Sequence, residues 1–279
     1  MANPEPLLRT GTTVDDLHAA LRERVISGDY PPGARMSQAQ LAAEFNVSRT
    51  PLREALQRLE ADGLLIASAN RGMHVAPVVN SETEESYALR LLIEPPTVSG
   101  LIDEFTTTDF DEMRTALDEM RETRGHGRRF QDAHDRFHDV ALNRYPASFR
   151  DLIKSLHIRI YRHQRVYLAH NRTPDDFIGV DNLYLDALIS GESGLAHHVL
   201  QFHLTDAALG LVLDADSDHR FASLLVALRG RGIDVEHTAD GTVVRPAAIT
   251  WSTPTSPMPS LRTSNLVFIS EAELVDDVG

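Results

Sequence analysis

The stretch VSRTPLREALQRLEADGL, residues 47–64, decides how the first third of this chain folds. Ser48 or Thr50 suits an N-cap, and Pro51 sits in the first turn, where a missing N–H is harmless. Leu52, Ala55, Leu56 and Leu59 recur at helical spacing and Gly63 stops the helix. Upstream, Val14, Leu17, Leu21 and Val25 predict another helix, closed by Gly28 and by Pro31-Pro32-Gly33. A short helix spans Gln38 to Phe45, with Leu41, Ala42 and Phe45 on one side, and Asn46-Val47 makes a tight turn. Downstream, Leu64-Leu65-Ile66, Asn70-Arg71-Gly72 and Met73-His74-Val75 read as strand, turn and strand. The order is that of a winged helix-turn-helix. None of its short helices would be stable alone, so their apolar faces must pack together.

In such a domain the N-terminal end of the third helix enters the major groove. Here that end carries Ser48, Arg49, Thr50 and Arg53. Arg49 and Arg53 are four apart and share a face, so one can reach a guanine edge and the other a phosphate. Arg71 and Gly72 stand at the hairpin tip, placed for phosphate or the minor groove. A single arginine would read as a solvated surface residue; three in these positions predict DNA contact.

The charge distribution narrows the kind of DNA binding. The chain of 279 residues has a formal net charge of −14, which argues against non-specific coating of nucleic acid. Residues 1–78 hold 8 Arg and 9 Asp/Glu, so the deficit lies almost wholly beyond them. Lys154 is the sole lysine. The basic groups are thus arginines, whose flat fork suits bidentate contacts. With no cysteine, disulfides, Cys-based zinc sites and thiol catalysis are excluded. The N-terminus lacks the pattern of a secretory signal, and no apolar run reaches the ~20 residues of a membrane span.

Residues 79–215 read as an all-helical bundle of about six helices. The first begins near Ser81, and Glu94-Pro95-Pro96 should kink or interrupt it. Further helices are predicted over 110–124, 129–144, 148–170, 174–189 and 195–213. In HDRFH, His134 and His138 are four apart and project from one helix face, which suits two ligands to one metal. An isolated HxxxH is more often a polar surface pair. Residues 216–279 change character: a helix in HRFASLLVALRGRG, a hairpin over IDVEHTADGTVVRP turning at Asp240-Gly241, and a further strand at NLVFIS. They carry no functional reading.

Gly33 to Val75 resembles the DNA-binding domain of GntR-family bacterial transcription regulators, with VSRTPLREALQRLEADGL as its specific core. By that resemblance Arg49 and Arg53 are recognition-helix arginines, and Arg71-Gly72 is the wing tip. The second helix, SQAQLAAEF, departs from members with a basic residue there. A phosphate contact is then lost, or passes to Gln38 or Gln40. Residues 82–207 resemble the C-terminal, FCD-type ligand-binding domain of the FadR branch, on RLLIEP, RFHDVALN and DNLYLDALISGESGLAHHVLQFHL. Many members hold a metal with one Asp and three His. Here the family's Asp position holds His134, and one of its His positions holds Asp181. The reciprocal exchange keeps the donor total. The resemblance therefore implies a divalent ion, Zn²⁺ or Ni²⁺, held by His134, His138, Asp181 and His203. Asp135 is a fallback ligand, and His197 and His198 are supporting or surface residues.

The chain is thus expected to be mainly α. A winged helix-turn-helix (13–78) precedes a helical effector- and metal-binding domain (79–215) and a small α/β C-terminal extension (216–279) of unknown role. The expected function is a cytoplasmic bacterial transcription regulator, a repressor. It would be a homodimer on a palindromic double-stranded operator, with nucleoid association while bound and no membrane partner. A small organic acid would be its effector. Arg90 is the first candidate to clamp that acid, unless it pairs with Glu94 at i, i+4; Tyr161, Arg162 and Arg165 are weaker candidates. The alternative is a metal-dependent enzyme using the His/Asp site, with the N-terminal domain as a DNA tether.

Overall fold

The computed structural model describes residues 13–68, 72–124, 126–170, 175–252 and 267–269. The chain divides into two compact units, residues 1–79 with 157–163, and residues 80–156 with 164–279.

The first unit is a winged helix-turn-helix. Helix α1 (Val14–Ile26) starts on a reciprocal cap. The Thr13 hydroxyl accepts from the Asp16 N–H at 3.1 Å, and the Asp16 carboxylate accepts from the Thr13 N–H at 3.1 Å. Helix α2 (Gln38–Phe45) ends at Asn46, whose φ of 52° places it in the left-handed region that asparagine tolerates. Helix α3 (Arg49–Ala61) follows after the tight turn. Strands β1 (Arg35–Met36), β2 (Leu65–Ser68) and β3 (Gly72–Val75) form an antiparallel sheet in the order β1-β3-β2. Leu17, Leu21, Phe45, Leu52, Leu56 and Leu59 are fully buried together in its core. Each such leucine contributes ~1.5–3 kcal/mol relative to exposure. Ile158 and Tyr161, from the 157–163 segment of this unit, pack partly buried against that core.

The second unit opens with α4 (Asn80–Gly100) and a 3₁₀ turn (Ile102–Glu104). Then come α5 (Thr107–Glu122), α6 (Gly127–Arg144), α7 (Ala147–His170), of which residues 157–163 belong to the first unit, α8 (Asp175–Ile189) and α9 (Ser193–Ala215). Pro95 and Pro96 do not interrupt α4, which continues to Gly100. Proline at these positions removes the N–H groups that would have bonded the Leu91 and Leu92 carbonyls. The Leu92 carbonyl accepts from the Arg231 guanidinium instead, and the Thr97 hydroxyl donates to the Ile93 carbonyl at 2.6 Å. Helix α9 is the central helix, buried almost continuously from Ala196 to Leu213. It packs against α4 and α8.

The C-terminal segment adds α10 (Ser223–Gly230) and strands β4 (Ile233–Val235), β5 (Ala247–Trp251) and β6 (Val267–Ile269). Their order is β4-β5-β6, with β4 antiparallel and β6 parallel to β5. Sequence reading expected a hairpin within residues 233–246. Its tip forms around Asp240-Gly241: the Gly241 N–H donates to the Thr238 carbonyl at 3.0 Å, the Thr238 N–H to the Thr242 carbonyl at 2.8 Å and the Val244 N–H to the Glu236 carbonyl at 2.9 Å, about the antiparallel bridge His237↔Val243. The start of the stretch, β4, pairs with β5 instead. The physical reason is burial: Ala247 and Ile249 of β5 are buried, as are Ile233 and Val235 of β4. No helix among the described residues is long and apolar enough to cross a membrane.

Candidate functional site

The DNA-facing candidates gather at the start of α3. Ser48 is the N-cap residue, extended at φ −73° and ψ 162°, and its side chain makes no capping bond. Ser48, Arg49, Thr50 and Arg53 are all exposed. Arg49 and Arg53 form no ion pair with a described residue. Arg58, one turn further on, is tied to Asp15 at 2.6 Å and Glu54 at 2.8 Å. Gly72 opens β3 at φ +80°, a conformation that favours glycine. Arg71 lies outside the described residues.

The second unit draws four side chains from three helices to one point. His134 and His138 come from successive turns of α6, Asp181 from α8 and His203 from α9. One ligand atom from each lies within 4.8 Å of all the others. The His134 and His138 Nε2 atoms are 3.1 Å apart. Asp181 Oδ1 is 3.4 Å from His138 Nε2 and 3.5 Å from His203 Nδ1, and Asp181 Oδ2 is 3.8 Å from His134 Nε2. Asp181 is 1% exposed, and among the described residues neither carboxylate oxygen has a hydrogen-bond partner.

A buried carboxylate without hydrogen bonds is costly unless something else satisfies it. A divalent cation would do so here. Burial, and secondarily His138, holds the His134 imidazole down at about 3, with Asp181 acting in opposition. Burial and then Arg90 hold His138 at about 3. His203 is held well below its ordinary value by burial, against the pull of Asp181. All three rings are therefore neutral at neutral pH, the state that metal ligation requires. Burial pushes the Asp181 carboxyl up, partly offset by His203 and His134. Three imidazoles and one carboxylate fit a borderline divalent ion. The chemistry of the set and the orphaned oxygens both fit such an ion.

Arg90 is buried on α4, and its Nε donates to Glu94 Oε1 at 2.5 Å. The i, i+4 pair is thus formed, and the guanidinium also lies over the Tyr87 ring, 5.1 Å from its centroid. Burial is the largest influence on Arg90 and opposes its charge, but Glu94, Tyr87 and Tyr145 together raise its pKa above the ordinary value. The same guanidinium lowers all three cluster histidines, so it stands in their electrostatic neighbourhood. Tyr145 and Tyr184 belong there too. Burial, then Glu94, raises both phenols. Sequence reading missed these two tyrosines. Tyr184 stands three residues after Asp181 on α8, and that spacing is a usable signal; Tyr145, at the end of α6, offers none.

The other candidates lie elsewhere. Tyr161 packs with the core of the first unit. The side chains of Arg162 and Arg165 lie outside the described residues. Asp135 is not among the four grouped side chains; its Oδ1 is 4.0 Å from His134 Nδ1. His198 is buried with its ring centroid 5.6 Å from that of Trp251, and neither it nor His197 joins the cluster.

Comparison with known proteins gives two consecutive family matches. Residues 13–75 match the bacterial regulatory proteins of the gntR family, and residues 85–206 match the FCD domain. The chain carries a gntR-family DNA-binding domain followed by an FCD domain. The enzyme alternative finds no support among the curated relatives, which are named as transcriptional regulators and repressors. The chain is similar to the uncharacterized HTH-type transcriptional regulator YdhC of Bacillus subtilis, with 31% identity over 48% of this chain and 55% of that one. It is 33% identical to the gluconate operon transcriptional repressor of Bacillus licheniformis, over 50% of this chain and 56% of that one. The chain spans about half the length of these relatives. Its fold is similar to that of E. coli McbR/YncC, with a TM-score of 0.65 and 21% identity, covering 74% of this chain and 99% of that one. Helix α10 and the β4-β5-β6 sheet lie beyond both matched segments.

Proposed function

We propose that this chain is an operator-binding repressor, governed by a small carboxylate held in its metal-containing FCD domain. The observation that carries this reading is the buried His134–His138–Asp181–His203 cluster, on the same chain as a helix that exposes Arg49 and Arg53 to solvent. Two copies would place two α3 helices on a palindromic operator in the bacterial cytoplasm. Zn²⁺ or Ni²⁺ would be held by the four side chains, and such an ion supplies an electrophilic anchor for a carboxylate. Arg90 would add positive charge beside it, tempered by Glu94. The relative named as a gluconate operon repressor supports repression and an organic acid as effector. For the acid to release DNA, it must bind more tightly to the conformation that does not grip the operator.

Native mass spectrometry on protein purified without chelator or metal-affinity resin tests the metal and the oligomer together. The expected species is a dimer with one divalent ion per chain. A dimer still empty after added Zn²⁺ and Ni²⁺ would sink the metal reading. Operator titration with a panel of small organic acids tests the rest, and the effector reading fails if no acid shifts the affinity.

A further inference from the structure

Helix α10 and the β4-β5-β6 sheet fasten to the two helices that carry Arg90, Glu94 and His203. Three attachments do this. The Glu84 carboxylate on α4 is 3% exposed, and its partners come from the extension. It accepts from the backbone N–H groups of Ala222 at 2.7 Å and Leu224 at 2.9 Å, where α10 begins, and lies 2.9 Å from His219 Nε2. The Arg231 guanidinium donates to the Leu92 carbonyl, the one freed by Pro96. Leu92 is two residues from both Arg90 and Glu94. On the other side, the Trp251 indole N–H donates to Gln201 Oε1 at 2.9 Å, and Gln201 is a buried residue of α9 two positions before His203.

Each attachment meets a need that the helices cannot meet alone. A carboxylate buried as deeply as Glu84 requires donors, and the capping N–H groups of α10 supply them. A helix with two internal prolines has carbonyls without their usual partners, and it bends wherever they are left unsupported. The extension is itself held closed at a backbone contact. The Phe221 N–H donates to the Gly241 carbonyl at 2.9 Å, and a Cβ on Gly241 would stand 2.4 Å from the Phe221 carbonyl oxygen, at a φ of +89°.

We infer that the C-terminal extension is a brace that holds α4 across its proline pair and α9 beside His203, and so positions Arg90, Glu94 and His203. Glu84, Arg231 and Trp251 are its positioning residues. The brace stands on geometry alone; only its consequence for metal affinity rests on the metal reading above.

Hydrogen–deuterium exchange on the full chain tests it, with Glu84→Ala, Arg231→Ala, Trp251→Phe and Gly241→Ala compared with wild type. The expected result is faster exchange over residues 84–94 and 198–206 in each variant, including Gly241→Ala, which touches neither helix, with Arg231→Lys restoring most of the protection. Should Glu84→Ala fail to fold, Arg231→Ala and Trp251→Phe still decide, because Arg231 is exposed and Trp251→Phe keeps an aromatic ring. Exchange in the extension that leaves 84–94 and 198–206 at wild-type protection overturns the inference. Unchanged exchange everywhere overturns it equally, since the contacts would then carry no load. In parallel, Zn²⁺ affinity should fall about tenfold in Trp251→Phe, at the low end for groups that support ligands, and the visible spectrum of added Co²⁺ should shift. A wild-type chain that takes no metal defeats the metal reading while the exchange data still decide the brace.

Discussion

Asp181 is the only carboxylate among the four clustered side chains, and its two oxygens have no hydrogen-bond donor among the described residues. Asp181→Asn should keep the shape of the site and remove its charge. We expect Zn²⁺ affinity to fall by more than ~100-fold, read by chelator competition, because loss of a ligand should exceed the 10–100-fold effect of losing a supporting group. The histidines make a second prediction. His134 and His138 refuse protons down to about 3 in the folded chain, whereas unfolded histidine titrates near ~6.5. Between those limits the unfolded chain binds protons that the folded one does not. Metal-free protein should therefore lose stability as pH falls through that window, by up to ~1.4 kcal/mol per unit for each histidine. Asp181, shifted upward, works in the opposite direction and returns part of the loss. Urea midpoints at pH 7 and pH 5 check this, and equal midpoints would contradict it. Arg90→Ala is a third case. It strands the Glu94 carboxylate in a buried setting, at a cost of about 3–5 kcal/mol, and chemical denaturation reads it directly.

Helix α3 separates stability from recognition by face. Leu52, Ala55, Leu56 and Leu59 are buried, while Arg49 and Arg53 are exposed. Arg53→Ala should leave the thermal midpoint nearly unchanged and weaken operator binding by ~1–3 kcal/mol if it contacts a base. Leu56→Ala should do the reverse, destabilising the fold by ~2–5 kcal/mol through the cavity it opens. Paired melting and fluorescence-anisotropy titrations distinguish them; a large loss of stability in Arg53→Ala would remove it from the DNA-facing set. The apolar stripe of this helix was legible in the sequence because helical periodicity leaves a plain record. The course of α4 was not. Two prolines predict a break wherever no outside donor exists, and the donor here, Arg231, lies more than a hundred residues away.

The chain carries a net charge of −14. DNA affinity must then come from a few placed arginines on a near-neutral domain. Operator binding by a dimer should show a modest salt slope and keep a large preference over random DNA at ~0.15 M salt. Sedimentation equilibrium should give twice the 31.0 kDa chain mass. A monomer at micromolar concentration would contradict a symmetric two-site complex.

Local pattern alone was enough to specify the three short helices, the two wing strands and, apart from the course of α4 past its prolines, the helices over residues 79–215. Periodicity, caps and breakers act between residues near one another in the chain. The His134–His138 pair was legible for the same reason, as two residues on one helix face. Composition and spacing could not bring Asp181 and His203 to that pair. Those two entered from resemblance, and their meeting depends on how α6, α8 and α9 pack. Tertiary structure also decided that Arg90 pairs with Glu94, that Tyr145 and Tyr184 join this neighbourhood, and that β4 pairs with β5. Each of these outcomes is a competition among distant partners for burial and hydrogen bonds, and no window of sequence contains all the competitors.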